Sequence, residues 1–91
     1  MKARAHLFIS GAVQDAFFRS EIKHRAWKLC VKDWIRNLPD DRVEAIFEGE
    51  KDRIKEIIAF CRQGPPRAKV TATDAIWKIC TDEFKVFKIK Y

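Results

Sequence analysis

Two stretches of the chain repeat their apolar positions at helical spacing, and most of the rest alternates. Phe18, Ile22, Ala26 and Leu29 recur at steps of four, four and three, which puts them on one face of a helix predicted over residues 19–31. Ile54, Ile57, Ile58 and Cys61 do the same for a second helix over 50–62. Glu50 and Asp52 suit the positive end of that helix and Arg62 its negative end, and Gly64-Pro65-Pro66 stops it. Elsewhere Ala5, Leu7 and Ile9 point one way while His6, Phe8 and Ser10 point the other. Val43, Ala45 and Phe47 alternate with Glu44, Ile46 and Glu48. Residues 70–80 are rich in β-branched side chains, 84–91 alternate with one change of phase, and Leu38-Pro39-Asp40-Asp41 reads as a hairpin connection. The predicted order is strand, helix, strand, strand, helix, strand and a final strand. That is an α+β sandwich of the ferredoxin-like kind, βαββαβ plus one strand, with two helices on one face of an antiparallel sheet. We read residues 1–91 as a single domain.

This order already places a candidate site. A β-α-β crossover leaves its two strands parallel, so their C-terminal ends lie at the same end of the sheet. Whatever follows Val13 and whatever ends the strand near Asn37 are therefore brought close together. The loop between the first strand and first helix also presents backbone N–H groups at a helix N-terminus, where an anion is favoured.

Length and composition narrow the class. Ninety-one residues support one modest core, and 47% hydrophobic residues with only three Gly and three Pro exclude a disordered, collagen-like or low-complexity chain. No apolar run approaches the roughly 20 residues that span a bilayer. The N-terminal MKARAHLFIS has neither a secretory apolar region nor a cleavage site, which points to the cytoplasm. Cys30, Cys61 and Cys80 form neither a disulfide framework nor a C-x-x-C motif and are expected to be free, buried thiols; nothing beyond their presence suggests a redox role. Trp27, Trp34 and Trp77 are expected in the core or half-buried, and His6 and His24 have no partner at a useful spacing. The net charge of +6 suits an anionic ligand, either nucleic acid or a small phosphorylated metabolite, but it equally serves solubility.

The residues that carry chemistry lie in the first loop. Gly11-Ala12-Val13-Gln14-Asp15-Ala16-Phe17-Phe18-Arg19 resembles the signature loop of the acylphosphatases, G-x-V-Q-G-V-x-F-R. The resemblance continues through Trp34-Ile35-Arg36-Asn37-Leu38-Pro39-Asp40, Val43-Glu44, Glu48-Gly49 and Gly64-Pro65-Pro66-Arg67-Ala68-Lys69-Val70. It ends on Phe87-Lys88-Ile89-Lys90-Tyr91 and so covers essentially the whole chain in order. It implies hydrolysis of a carboxylic–phosphoric anhydride to a carboxylate and inorganic phosphate, with no metal or cofactor. By the same resemblance Arg19 binds the phosphoryl group and Asn37 positions the attacking water. The backbone of Gln14, Asp15, Ala16, Phe17, Phe18 and Arg19 forms the phosphate cradle.

Those residue types suit that chemistry. Fixed N–H donors and a planar guanidinium meet the charge that spreads over the equatorial oxygens in phosphoryl transfer. An amide can orient a water without acting as a strong base. No Ser/His/Asp arrangement or metal-ligand spacing is present. The chain departs from the family pattern where glycine is usual: Asp15 and Ala16 stand in the loop for Gly and Val, Cys30 and Asp33 precede the tryptophan, and Asp41 sits in the hairpin. A carboxylate at 15 is expected to lower affinity for phosphate if it faces the cradle. Two other readings stay open. One is an acylphosphatase-like domain that binds phosphate or a partner with little turnover. The other is a basic RNA-binding module, against which the strand over 42–48 speaks by carrying acids where stacking aromatics belong. The expected partners are a small acyl phosphate and its phosphate product, with no membrane and no nucleic acid, for a chain acting as a monomer.

Overall fold

In the first strand, alternation sorts side chains between a buried and an open face: Ala5, Leu7 and Ile9 are fully buried, whereas the residues between them are not. The computed structural model describes residues 2–14, 16–64, 68–79 and 87–90. The elements are β1 (Lys2–Ala12), α1 (Ala16–Lys28), β2 (Lys32–Asn37), β3 (Val43–Glu50), α2 (Lys51–Gln63), β4 (Lys69–Lys78) and β5 (Phe87–Lys90). The sheet order is β4-β1-β3-β2-β5. β1 and β2 both run antiparallel to β3 between them, and β4 runs antiparallel to β1, so β1 and β2 are parallel to each other as the crossover requires. The final strand pairs parallel to β2, which adds one parallel edge to an otherwise antiparallel sheet.

Both helices cover one face of this sheet. Phe18, Ile22 and Ala26 of α1 and Ile54, Ile57, Ile58 and Cys61 of α2 meet Leu7, Ile9, Ile35, Val43, Ala45 and Phe47 in one core. α1 starts and ends three residues before the span its apolar spacing predicts. Leu29 lies past its last turn and is partly buried against the core.

The end of α1 explains one glycine departure. Val31 N–H donates to the Ala26 carbonyl (2.8 Å) and Cys30 N–H to the Trp27 carbonyl (3.2 Å), the two bonds of a Schellman motif. Cys30 occupies its left-handed position with φ 55°. Asp41 sits at φ 71°, while Asp33 lies in β2 without positive φ, so of these three departures only Cys30 and Asp41 stand where glycine's freedom matters. A left-handed Cβ costs roughly 1–2 kcal/mol, partly offset by the greater freedom glycine brings to the unfolded chain. Cys30→Gly is therefore expected to stabilise the fold by about 0.5–1 kcal/mol, or about 2–6 °C in Tm for a chain of this size. Cys30→Ala serves as the control in thermal melts, and a glycine variant no more stable than the alanine one would show that the left-handed conformation carries no cost here.

Three side-chain expectations need correction. Cys61 is buried, and burial pushes its thiol up to about 12, but Cys30 is exposed at the helix end; Cys80 lies outside the described residues. Trp27 is 75% exposed, because it stands one residue past Ala26 and so about 100° round the helix from the core stripe; Trp77 is also exposed, and Trp34 is half-buried. His6 does have a partner: its Nε2 lies 2.6 Å from Glu44 Oε2, and Arg36 Nε donates to Glu44 Oε1 at 2.7 Å. Glu44 and Glu48 alternate onto the face away from the helices, yet both are buried, because Arg4, His6 and Arg36 on the flanking strands close over them. Burial alone would disfavour the Glu44 carboxylate. The bonds from His6 and Arg36 outweigh it and hold Glu44 below the usual glutamate range.

Candidate active site

The site begins where β1 stops pairing regularly. The β1–β4 register shifts between Ser10 and Gly11, and Gly11 has φ 129°. A Cβ there would collide with the Lys69 carbonyl oxygen of β4, so only glycine lets the two backbones approach this closely. Two residues later Val13 is fully buried, which anchors the loop in the core just before α1.

Gln14 ties this loop to the neighbouring hairpin. Its Nε2 donates to the Leu38 carbonyl at 2.6 Å and to the Arg42 carbonyl at 2.9 Å. Both acceptors are carbonyl oxygens, so the amide's NH2 end must face them and both its protons are used. The hairpin is itself well held. Leu38 N–H donates to the Arg42 carbonyl (2.8 Å) and Asp41 N–H to the Leu38 carbonyl (3.3 Å). Asp40 accepts from Arg42 at both its backbone N–H (3.2 Å) and its Nε (2.7 Å), and the Arg42 side-chain bond keeps the Asp40 carboxyl below the usual range. Pro39 suits the second position of this turn, and Asp41 takes the left-handed place after it.

Arg19 lies in the first turns of α1 and is only 6% exposed, an unusual burial for a guanidinium. Its Nη1 donates to the Gln14 carbonyl at 3.4 Å. Arg19 and its neighbours belong to the start of α1, and the leading N–H groups of a helix point along its axis, where an anion is favoured. No acidic residue stands in that first turn. Within residues 14–19, to which the cradle is ascribed, the Phe18 side chain is in the core and that of Phe17 is exposed. Asp15, and with it the question of where its carboxylate faces, lies outside the described residues.

Asn37 is the last residue of β2 and is exposed. It shares the face of buried Ile35, two residues before it, which is the face that carries α1. No described residue hydrogen-bonds its side chain, so a donor and an acceptor remain available. Its neighbour Leu38 is the residue that Gln14 grips. The structure therefore brings together the loop, Arg19 and the strand end of Asn37, as the topology predicts. The hairpin carbonyls of Leu38 and Arg42 had no signal in the sequence, because backbone acceptors leave none. Among the described residues no group of three or more His, Cys, Asp or Glu is arranged to hold a metal ion, and no helix is long and apolar enough to cross a membrane.

This fold, with a helix start beside the end of a neighbouring strand, agrees with what the whole chain is similar to. The acylphosphatase family model matches residues 5–89. An acylphosphatase of Pelotomaculum thermopropionicum is 43% identical over 90 residues, covering 99% of this chain and 98% of that one. One from a Roseiflexus species is 45% identical over 87 residues, covering 96% and 94%. The crystal structure of acylphosphatase from Bacillus subtilis superposes with a TM-score of 0.91 at 26% identity and full coverage of both chains. With its signature loop, its fold and its nearly full-length relatives in agreement, the chain belongs to the acylphosphatase family.

Proposed function

We propose that the chain, as one domain over residues 1–91, hydrolyses acyl phosphates to a carboxylate and inorganic phosphate in the cytoplasm, acting as a monomer without metal or cofactor. The observation that carries this reading is the buried Arg19 at the α1 start, donating to the Gln14 carbonyl, with the Gln14 amide tying that loop to the strand end of Asn37. The phosphoryl oxygens are met by the backbone N–H groups of residues 14–19 and by the Arg19 guanidinium, which need not reorganise as charge develops. Asn37 orients a water for attack on phosphorus opposite the acyl oxygen. The P–O bond to that oxygen breaks, the carboxylate leaves, and the water oxygen becomes the fourth oxygen of phosphate. An acyl phosphate has a good leaving group, so positioning and charge stabilisation suffice without a nucleophilic side chain. Buried Glu44 and Glu48 on the central strand, where an RNA-binding sheet would carry aromatics, support this reading over the nucleic-acid one.

Benzoyl phosphate is the direct test. Purified protein is expected to accelerate its loss well beyond the uncatalysed rate, and to do so unchanged in excess EDTA. Phosphate binding without turnover would instead establish the weakened, non-catalytic form. Activity lost to EDTA and restored by a divalent ion would overturn the metal-free mechanism.

A further inference from the structure

We propose that the Gln14 side chain is a positioning residue that couples the phosphate cradle to the water-orienting strand end; the proposal rests on the acylphosphatase mechanism above. Gln14 touches both halves of the site at once. Its carbonyl accepts from Arg19 Nη1 at 3.4 Å, and its side-chain amide spends both protons on the Leu38 and Arg42 carbonyls at 2.6 and 2.9 Å. The cradle and Arg19 belong to one continuous segment, the loop and the first turn of α1. Asn37 belongs to another, β2 and its hairpin, separated from Gln14 by more than twenty residues of chain. Across this end of the sheet β1 and β2 are not neighbours, since β3 lies between them. The backbone ladder therefore does not set the distance from loop to Asn37 directly, and the Gln14 amide spans the gap. Leu38 is the residue next to Asn37, so the grip acts one peptide from the group that orients water. The Arg42 carbonyl also accepts from Leu38 N–H, so the same grip closes the hairpin mouth.

Losing this amide should leave phosphate binding in place, since every phosphate donor lies on the loop and helix. It should misplace the water relative to phosphorus, and a misplacement of about 1 Å costs on the order of 100-fold in rate. Gln14→Leu keeps the side chain's bulk and removes both donors. It is expected to lower kcat on benzoyl phosphate by about 10- to 100-fold, with the phosphate inhibition constant within about threefold of the parent. In an Asn37→Ala background the same change should have almost no further effect, because Gln14 acts through Asn37. Gln14→Glu opposes a carboxylate to two carbonyl oxygens at neutral pH but regains one donor when protonated. Its rate relative to the parent is therefore expected to rise as pH falls, which Gln14→Leu should not show.

A readout without substrate separates this proposal from the mechanism it rests on. Titration with inorganic phosphate, followed by amide resonances, should shift residues 14–19 and also residues 37, 38 and 42 in the parent. In Gln14→Leu the loop shifts should persist and the hairpin shifts should vanish. If the parent does not hydrolyse benzoyl phosphate, the functional reading fails while this titration still decides the coupling. The proposal is overturned by hairpin shifts that survive in Gln14→Leu. It is overturned equally by a kcat loss that multiplies with that of Asn37→Ala, or by a phosphate constant that worsens in step with kcat.

Discussion

Arg19→Gln is expected to remove most of the activity on benzoyl phosphate, raising KM and lowering kcat together. The guanidinium is buried at the α1 start, where it donates to the Gln14 carbonyl, so its charge acts in a setting where water screens it little. Substrate and transition state both carry phosphoryl charge, so ground-state binding and rate must both suffer. A charge-assisted hydrogen bond contributes about 1.5–3 kcal/mol, and a planar fork makes two to phosphate. Their loss comes to about 10²–10⁴ in kcat/KM at about 1.4 kcal/mol per decade. Arg19→Lys keeps the charge but not the fork and should fall between the two. The control is thermal: phosphate should raise the parent's Tm by mass action and leave that of Arg19→Gln unmoved. If Arg19→Gln bound phosphate like the parent, the backbone donors alone would hold the anion and Arg19 would be structural.

The parts of the fold that were legible in the sequence are those set by local periodicity and chain order. Phe18, Ile22 and Ala26 mark the buried stripe of α1, and Ile54, Ile57, Ile58 and Cys61 that of α2, because a helix must bury one face wherever it packs. The parallel relation of β1 and β2 follows from the crossover rule, and it brings the loop after Val13 towards Asn37 without any knowledge of register. Register is what stayed hidden. His6 and Glu44 stand 38 residues apart and meet only because β1 pairs His6 with Ile46 and Phe8 with Glu44, a detail that alternation alone does not specify. Nor does alternation show that Glu44 and Glu48 are buried, which follows from the Arg4, His6 and Arg36 side chains of β1 and β2 that cover them. Cys30 illustrates a different limit. Its left-handed conformation is imposed by the two carbonyls of α1 that close the helix end, and a cysteine at that position gives no sign of it. At the site, Arg19 and Asn37 were visible through the signature they belong to, while the grip of Gln14 on two hairpin carbonyls was not.

Asn37→Ala is expected to separate chemistry from binding. The side chain is exposed at the end of β2 and makes no hydrogen bond to a described residue, so its removal leaves no orphaned buried group and should not change Tm appreciably. None of the donors proposed to meet phosphate is touched: in that mechanism they are the N–H groups of the loop and first helical turn, and Arg19. Inhibition by phosphate should therefore stay within about threefold of the parent, whereas kcat should fall by about 100-fold because the attacking water loses the amide that orients it. Asn37→Asp adds a discriminating arm. It offers an acceptor but no donor, and it brings a negative charge near the phosphoryl group, so it should lose both kcat and phosphate affinity, with the affinity partly restored at high ionic strength. Asn37→Gln retains both functions on a longer arm and should recover little of the rate, since a displaced amide holds the water in the wrong place. An Asn37→Ala variant as active as the parent would remove Asn37 from the mechanism. A variant whose phosphate affinity fell in proportion to kcat would make it a binding residue, and the water would then need another partner among the groups that face the cradle.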